Sequence, residues 1–288
     1  MTSFRASCVQ FCASRSVDDN LEQAVDLIRA AAADGANYVL TPEQTTLMEL
    51  NRESLFGRIT AEADDRCLPV FATLAQQLGI WLHIGSIAVQ VGPEQAANRS
   101  YLFDPNGDMV AKYDKIHMFD VSLAGGESYR ESRTYRAGET AVIAPLPWGK
   151  LGMSICYDLR FPDLYWQMAQ AGAELFTVPA AFTQTTGEVH WHPLLRARAI
   201  ETGAFVLAAA QSGTHENGRQ TFGHSLIIDP WGKILAELDN EVGVVSADID
   251  VNAVSQARQR IPNLAGARSF TLIQAGDDKS EISQVQAS

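Results

Sequence analysis

Nowhere in this chain does an apolar run approach the length of a bilayer span, and its opening residues carry no charged-then-apolar leader pattern. Cysteine is scarce: Cys8, Cys12, Cys67 and Cys156 form no Cys-x-x-Cys pair and no dense framework. Reduced thiols in a cytoplasmic protein are therefore expected, rather than a disulfide scaffold. Basic residues are also in short supply. The 22 Lys and Arg stand against 34 Asp and Glu, for a net charge of −12, and no basic cluster rises above that background. Binding phosphate requires a basic face, so a nucleic-acid partner is not expected, and neither is a membrane. Gly125-Gly126 lacks the strand–helix setting of a dinucleotide fingerprint and is read as a loop over a site.

What is present is an ordinary core, with 46% hydrophobic residues over 288 positions. Phe4 to Phe11 alternates as a strand, and Ser16 caps a helix whose apolar positions Leu21, Ala24, Val25, Ile28 and Ala32 recur until Gly35. Tyr38–Thr41 reads as a short buried strand, Pro69–Leu78 as a helix, and Ile80–Val89 as a strand. Hairpins are expected at Asp104–Asp108, Trp148–Lys150 and Asp229–Gly232. Phe161–Ala171, Val189–Thr202 and Val251–Arg260 are predicted helices. Leu175–Val178, Ala204–Ala210 and Val242–Ile249 are predicted strands. The mixture gives an α/β chain with two mixed sheets between outer helices, in one domain over 1–274 with a polar tail at 275–288. Two halves of similar element order are possible.

Cys156 ends an apolar strand and precedes a helix opened by Pro162, so its thiol sits where a nucleophile is exposed on rigid backbone. The competing reading is a buried structural thiol. Glu43 follows the strand ending Tyr38-Val39-Leu40-Thr41-Pro42, and Lys115 follows a hairpin strand. Each alone reads as a loop or solvated charge. Together they place a base, a cation and a sulfur at three strand ends, where functional groups of α/β sheets gather. A thiol needs such help near neutral pH. Glu43 would accept the thiol proton; Lys115 and the backbone N–H of Tyr157 would hold the oxyanion.

Thr41-Pro42-Glu43, Tyr113-Asp114-Lys115-Ile116-His117 and Gly152-Met153-Ser154-Ile155-Cys156-Tyr157-Asp158 resemble the three signature regions of the nitrilase, or carbon–nitrogen hydrolase, superfamily. The resemblance implies a four-layer αββα sandwich, homodimers or larger assemblies, and hydrolysis of non-peptide C–N bonds by a Glu-Lys-Cys triad through a thioester. It also implies that neither metal nor organic cofactor is needed, and that Glu131 positions Lys115 and substrate. Pro179–Gly187 and His190–Glu201 are similar to the Nit branch, whose members act on deaminated glutathione and ω-amides. The sequence departs at His192, where that branch more often has Glu, and at Pro193.

The expected substrate is a small amide carrying a carboxylate, of the deaminated glutathione kind, with 2-oxoglutaramate as the alternative. An inactive binding protein on the same scaffold is the reading from another class. Arg160 is the candidate cation for the carboxylate, or else an ion-pair partner of Asp158 or Asp163. Thr183 and Thr186 line the pocket or cap the next helix. A Cys-His hydrolase using His117 or His224 is the competing chemistry. His190 and His192 point apart at a helix start, so no metal is expected there. Cys8 and Cys12 are read as core residues on one face of a strand.

Overall fold

The computed structural model describes residues 2–122 and 128–273; the Gly125-Gly126 loop and the tail from Ala275 lie outside the described residues. In chain order the first strands are β1 (Ser3–Gln10), β2 (Tyr38–Leu40), β3 (Trp81–Gly92), β4 (Gln95–Phe103), β5 (Met109–Asp114), β6 (Asp120–Ser122), β7 (Ser128–Arg130) and β8 (Ile143–Leu146). They are followed by β9 (Gly149–Met153), β10 (Leu175–Thr177), β11 (Phe205–Ala208), β12 (Ser212–Thr214), β13 (Gln220–Phe222), β14 (Leu226–Ile228), β15 (Ile234–Glu237) and β16 (Gly243–Asp250). The helices are α1 (Val17–Ala33), α2 (Arg52–Phe56), α3 (Cys67–Leu78), α4 (Pro162–Gln170), α5 (Gln184–Thr202) and α6 (Asn252–Arg260).

One sheet runs β16-β1-β2-β3-β4-β5 and the other β8-β9-β10-β11-β14-β15. From β16 and from β8, both follow the same series of pairings: antiparallel, parallel, parallel, antiparallel, antiparallel. Side chains alternate along β1 as a strand requires. Phe4, Ala6 and Cys8 join a core shared with Met153, Phe176, Val206 and Ile227 of the other sheet. Val9, with Val39 of β2, packs instead among Ile28 of α1 and Phe71 of α3. Helices α4 and α5 cover β9 and β11. The layers are thus helix, sheet, sheet, helix, as the αββα expectation has it. No helix among the described residues is long and apolar enough to cross a membrane.

Local chemistry explains where the boundaries moved. Ser16 does cap α1, its side chain accepting the Asp19 N–H. Helix α3 starts at Cys67, before Pro69, because Asp65 Oδ1 accepts the N–H groups of Cys67 and Leu68 at 2.8 and 3.0 Å. Helix α5 starts at Gln184, well before Val189, and runs through Pro193. Its first turn holds the weak helix formers Thr185, Thr186 and Gly187, but a Cβ on Gly187 would lie 2.3 Å from Phe222 Cβ, so close packing on β13 fixes it. The hairpins β6–β7 and β12–β13 are too short for periodicity to show. Cys12 is not on the strand: β1 ends at Gln10, and Cys12 Sγ lies 3.5 Å from His215 Nδ1.

On β3, a fully buried His83 is held at both ring nitrogens. Tyr38 Oη lies 2.6 Å from Nδ1, Ser100 Oγ lies 2.7 Å from Nε2, and Ser100 in turn donates to Ile84 O at 3.0 Å. That chain is satisfied by a neutral imidazole donating from Nε2. Burial pushes the His83 pKa down to about 3, whereas an unfolded histidine titrates near 6.5. The unfolded chain therefore binds the extra proton first, so the stabilisation is complete above about pH 6.5 and is lost progressively as pH falls towards 3. His215, lowered by burial as well, acts in the same direction. Unfolding free energy measured by urea titration is expected to fall between pH 7 and 4.5, and His83→Gln is expected to flatten that slope. An unchanged slope in the variant would refute the assignment.

Candidate active site

Three strand ends deliver the charged and nucleophilic groups. Glu43 follows β2 through Thr41-Pro42, Lys115 comes directly after β5, and Cys156 comes shortly after β9. The first of these turns is packed against the second half of the chain. At Gly85, a Cβ would lie 2.0 Å from Thr41 O and 2.5 Å from both Pro42 O and Pro179 Cβ, so only glycine permits this approach. Within the second half, Cys156 N–H donates to Pro179 O at 2.9 Å. Cys156 itself has φ +49, a left-handed conformation rare for a residue with a Cβ.

Lys115 Nζ donates to Glu43 Oε1 at 2.9 Å and to both Glu131 oxygens at 3.0 and 2.9 Å. Asn98 Nδ2 donates to Glu43 Oε1 at 2.9 Å, and the Ala181 N–H to Glu43 Oε2 at 2.8 Å. Phe119 N–H donates to Glu131 Oε2 at 2.6 Å. The Glu43 carboxylate neighbours the Cys156 thiol closely enough to oppose its ionisation. Glu43, Lys115 and Cys156 are only 4%, 2% and 6% exposed. Each charge in this cluster is thus paired and hydrogen-bonded, one ammonium being shared by two carboxylates, the condition under which buried ions persist.

Burial opposes ionisation at all three groups, and their neighbours decide the outcome. Glu43 would be raised by burial, yet Lys115 beside it holds the carboxyl below its ordinary value. Lys115 would be lowered by burial, yet Glu131 and Glu43 hold it well above the usual amine range. Cys156 is raised by burial and further by Glu43. The resting cluster is therefore carboxylate, ammonium and neutral thiol, with an ionised acceptor beside the thiol.

A cavity of about 250 Å³ opens onto these groups. It is lined by Glu43, Lys115, Glu131 and Cys156 together with Tyr157, Thr183 and Thr186. The two threonine hydroxyls lie 2.8 Å apart, and the Thr183 side chain makes no cap to α5. Arg160 is not among the lining residues. Its Nη2 lies 3.3 Å from His190 Nδ1 and its guanidinium sits over the Phe182 ring. Neither does it pair with Asp158, whose oxygens are taken up elsewhere. Asp158 accepts from Ile155 N–H at 2.9 Å, Tyr113 Oη at 2.7 Å and His117 N–H at 3.0 Å, with His117 Nδ1 at 2.7 Å.

His117 is stacked on Phe161 with ring centroids 3.5 Å apart, and His224 faces Glu237. Neither lines the cavity, which leaves the Cys-His reading without a base. The cations that do line it beside Lys115 are Arg52, Arg130 and Arg219. Arg219 was not a sequence candidate. It sits on the β12–β13 hairpin, where no periodic pattern marks it, yet it reaches Ala181 O and lies over the Tyr129 ring. Its Nε is buried and has no hydrogen-bond partner.

Residues 5–259 match the family described as carbon–nitrogen hydrolase. The chain belongs to the carbon–nitrogen hydrolase family. It is a hydrolase of carbon–nitrogen bonds in the nitrilase superfamily. The deaminated glutathione amidase of Yersinia enterocolitica is 39% identical over 267 residues, covering 92% of this chain and 93% of that protein. Saccharomyces cerevisiae Nit3, a member of branch 10 of the nitrilase superfamily, has a similar structure, with a TM-score of 0.82 at 27% identity over 91% of this chain and 95% of that one. An amidase variant from Nesterenkonia sp. AN1 gives 0.77 at 26% identity over 89% and 94% of the two chains, and its active-site cysteine carries the acetamide moiety of fluoroacetamide.

Proposed function

We propose that this carbon–nitrogen hydrolase cleaves a small carboxylate-bearing amide of the deaminated glutathione kind through a thioester on Cys156. The observation that carries the reading is the convergence of Glu43, Lys115 and Cys156 on one cavity that also presents guanidinium groups. Glu43 takes the thiol proton as sulfur bonds to the amide carbon. Lys115 and the Tyr157 N–H hold the oxyanion, with Glu131 fixing Lys115 in place. On collapse the C–N bond breaks, and Glu43 returns its proton to the leaving nitrogen. Water then attacks the thioester, giving its proton to Glu43, and the thiol reforms as the C–S bond breaks. All groups in this sequence are protein side chains or backbone.

The carboxylate of such a substrate needs a local cation in a chain whose net charge is −12. Arg219, with its unpartnered buried Nε, takes the role that sequence had given to Arg160. Arg219→Gln is expected to raise KM for deaminated glutathione by roughly 10-fold to 100-fold, the loss of one charge-assisted hydrogen bond, and to spare a neutral amide. Equal losses on both substrates would refute this role. A panel of deaminated glutathione, 2-oxoglutaramate, nitriles and N-carbamoyl amino acids tests the whole reading. Higher kcat/KM on a nitrile or carbamoyl compound would overturn it. The reading extends to a single domain over 1–274 working in the cytoplasm as a homodimer or larger assembly. Val189, Ile200 and Trp231, all more than half exposed on and beside α5, support self-association, which sedimentation measures.

A further inference from the structure

Outside the cavity, His192, His224 and Glu237 bring one potential ligand atom each to within 4.8 Å of the others. They come from separate elements: His192 from the middle of α5, His224 from the turn before β14, and Glu237 from the end of β15. Glu237 Oε1 lies 2.5 Å from His192 Nε2 and 3.1 Å from His224 Nδ1, so one carboxylate oxygen faces two imidazole nitrogens. Phe222 braces both rings, stacking on His224 at 4.2 Å and meeting His192 edge-on at 6.0 Å.

The backbone at His224 is held as firmly as its ring. Its φ of +56 is a conformation that residues with a Cβ rarely adopt. The His224 N–H donates to Asp239 O at 2.9 Å, and its carbonyl accepts the Trp191 indole N–H at 2.9 Å. A strained residue kept in place from both sides, with its imidazole aimed at a second imidazole and a carboxylate, is a built arrangement. The side chains of His192, His224 and Glu237 are 30%, 24% and 28% exposed, so an ion has a route in.

We propose that His192 Nε2, His224 Nδ1 and a Glu237 carboxylate oxygen bind one divalent ion of the zinc class, with water as fourth ligand. Two imidazoles and a carboxylate are a donor set suited to that ion. Tetrahedral bonds of about 2.0–2.1 Å put ligand atoms roughly 3.3 Å apart. The His224–Glu237 separation already meets that spacing, and the His192–Glu237 separation needs to open by less than about 1 Å. Each imidazole gives a lone pair to the ion, and any proton bridging the ring nitrogens and the carboxylate passes to solvent. The ion clamps α5 to the β14–β15 hairpin. It takes no part in the chemistry at Cys156.

Helical spacing separates His190 from His192, but the partners of His192 lie in other elements. Cys156→Ala protein, stripped with chelator, removes the competing thiol of the cavity. Titration with Zn²⁺ is expected to show one equivalent bound by equilibrium dialysis, with a rise in Tm. Co²⁺ is expected to give a visible d–d band without a thiolate charge-transfer band. Adding His192→Gln or Glu237→Gln, each close in size, is expected to weaken Zn²⁺ binding at least tenfold and abolish the band while Tm without metal is retained. Absence of uptake in the parent, uptake unchanged by both substitutions, or a thiolate band pointing to Cys12 and His215 would each overturn the assignment.

Discussion

Cys156→Ala is expected to lower kcat/KM on the preferred amide by about 10⁴-fold or more, since a nucleophile acts as a unit with its base and oxyanion donors. Its fold should persist. Alanine keeps the Cβ at the left-handed backbone position, and the change removes one sulfur from a site already bordering a cavity. Glu43 and Lys115 remain paired at 2.9 Å, so the buried charges stay matched. Steady-state kinetics, with a thermal melt to show an unchanged Tm, make the measurement. Residual turnover within tenfold of the parent would mean that sulfur is not the attacking atom.

Asp158→Ala is expected to cost about 3–5 kcal/mol of stability, the range for removing one partner from a buried, hydrogen-bonded charge network. This fully buried carboxylate accepts from Ile155 N–H, beside Cys156, and from Tyr113 and His117, on either side of Lys115. It therefore ties the arm that carries the ammonium to the turn that carries the thiol. Alanine leaves those donors unpaired in the interior. Asp158→Asn keeps acceptor capacity on one atom and is expected to lose less stability but still lower kcat, because the two arms lose their common reference. Urea titration of both variants checks the order. An Asp158→Ala protein as stable as the parent would show that the two arms are held by other contacts.

Glu43, Lys115 and Cys156 were legible in sequence because each follows within a few residues of an apolar strand, where an unpaired charge or thiol is conspicuous. Glu131 was not legible that way: it follows the short strand β7, and only resemblance to a family pointed to it. Thr183 and Thr186 were found as neighbours of the cavity, whereas Arg160 was drawn away by its contacts with His190 and Phe182. Arg219 and Asp158 escaped because their roles depend on tertiary approach. One lies on a hairpin without periodicity, and the other resembles an ordinary turn aspartate until Tyr113 is brought to it. The same holds for the start of α5, where packing of Gly187 on Phe222 overrides weak local propensity. The matched pairing order of the two sheets was only a possibility until strand register could be read.

In that matched order the edge strand beside β9 is β8, which precedes it, but the edge strand beside β1 is β16, the last strand among the described residues. During synthesis on the ribosome, β1 therefore waits with one side of its backbone unpaired until residues 243–250 emerge. An open edge of this kind is the surface on which nascent chains stick to one another. The nascent sheet is completed only when the last strand closes against the first.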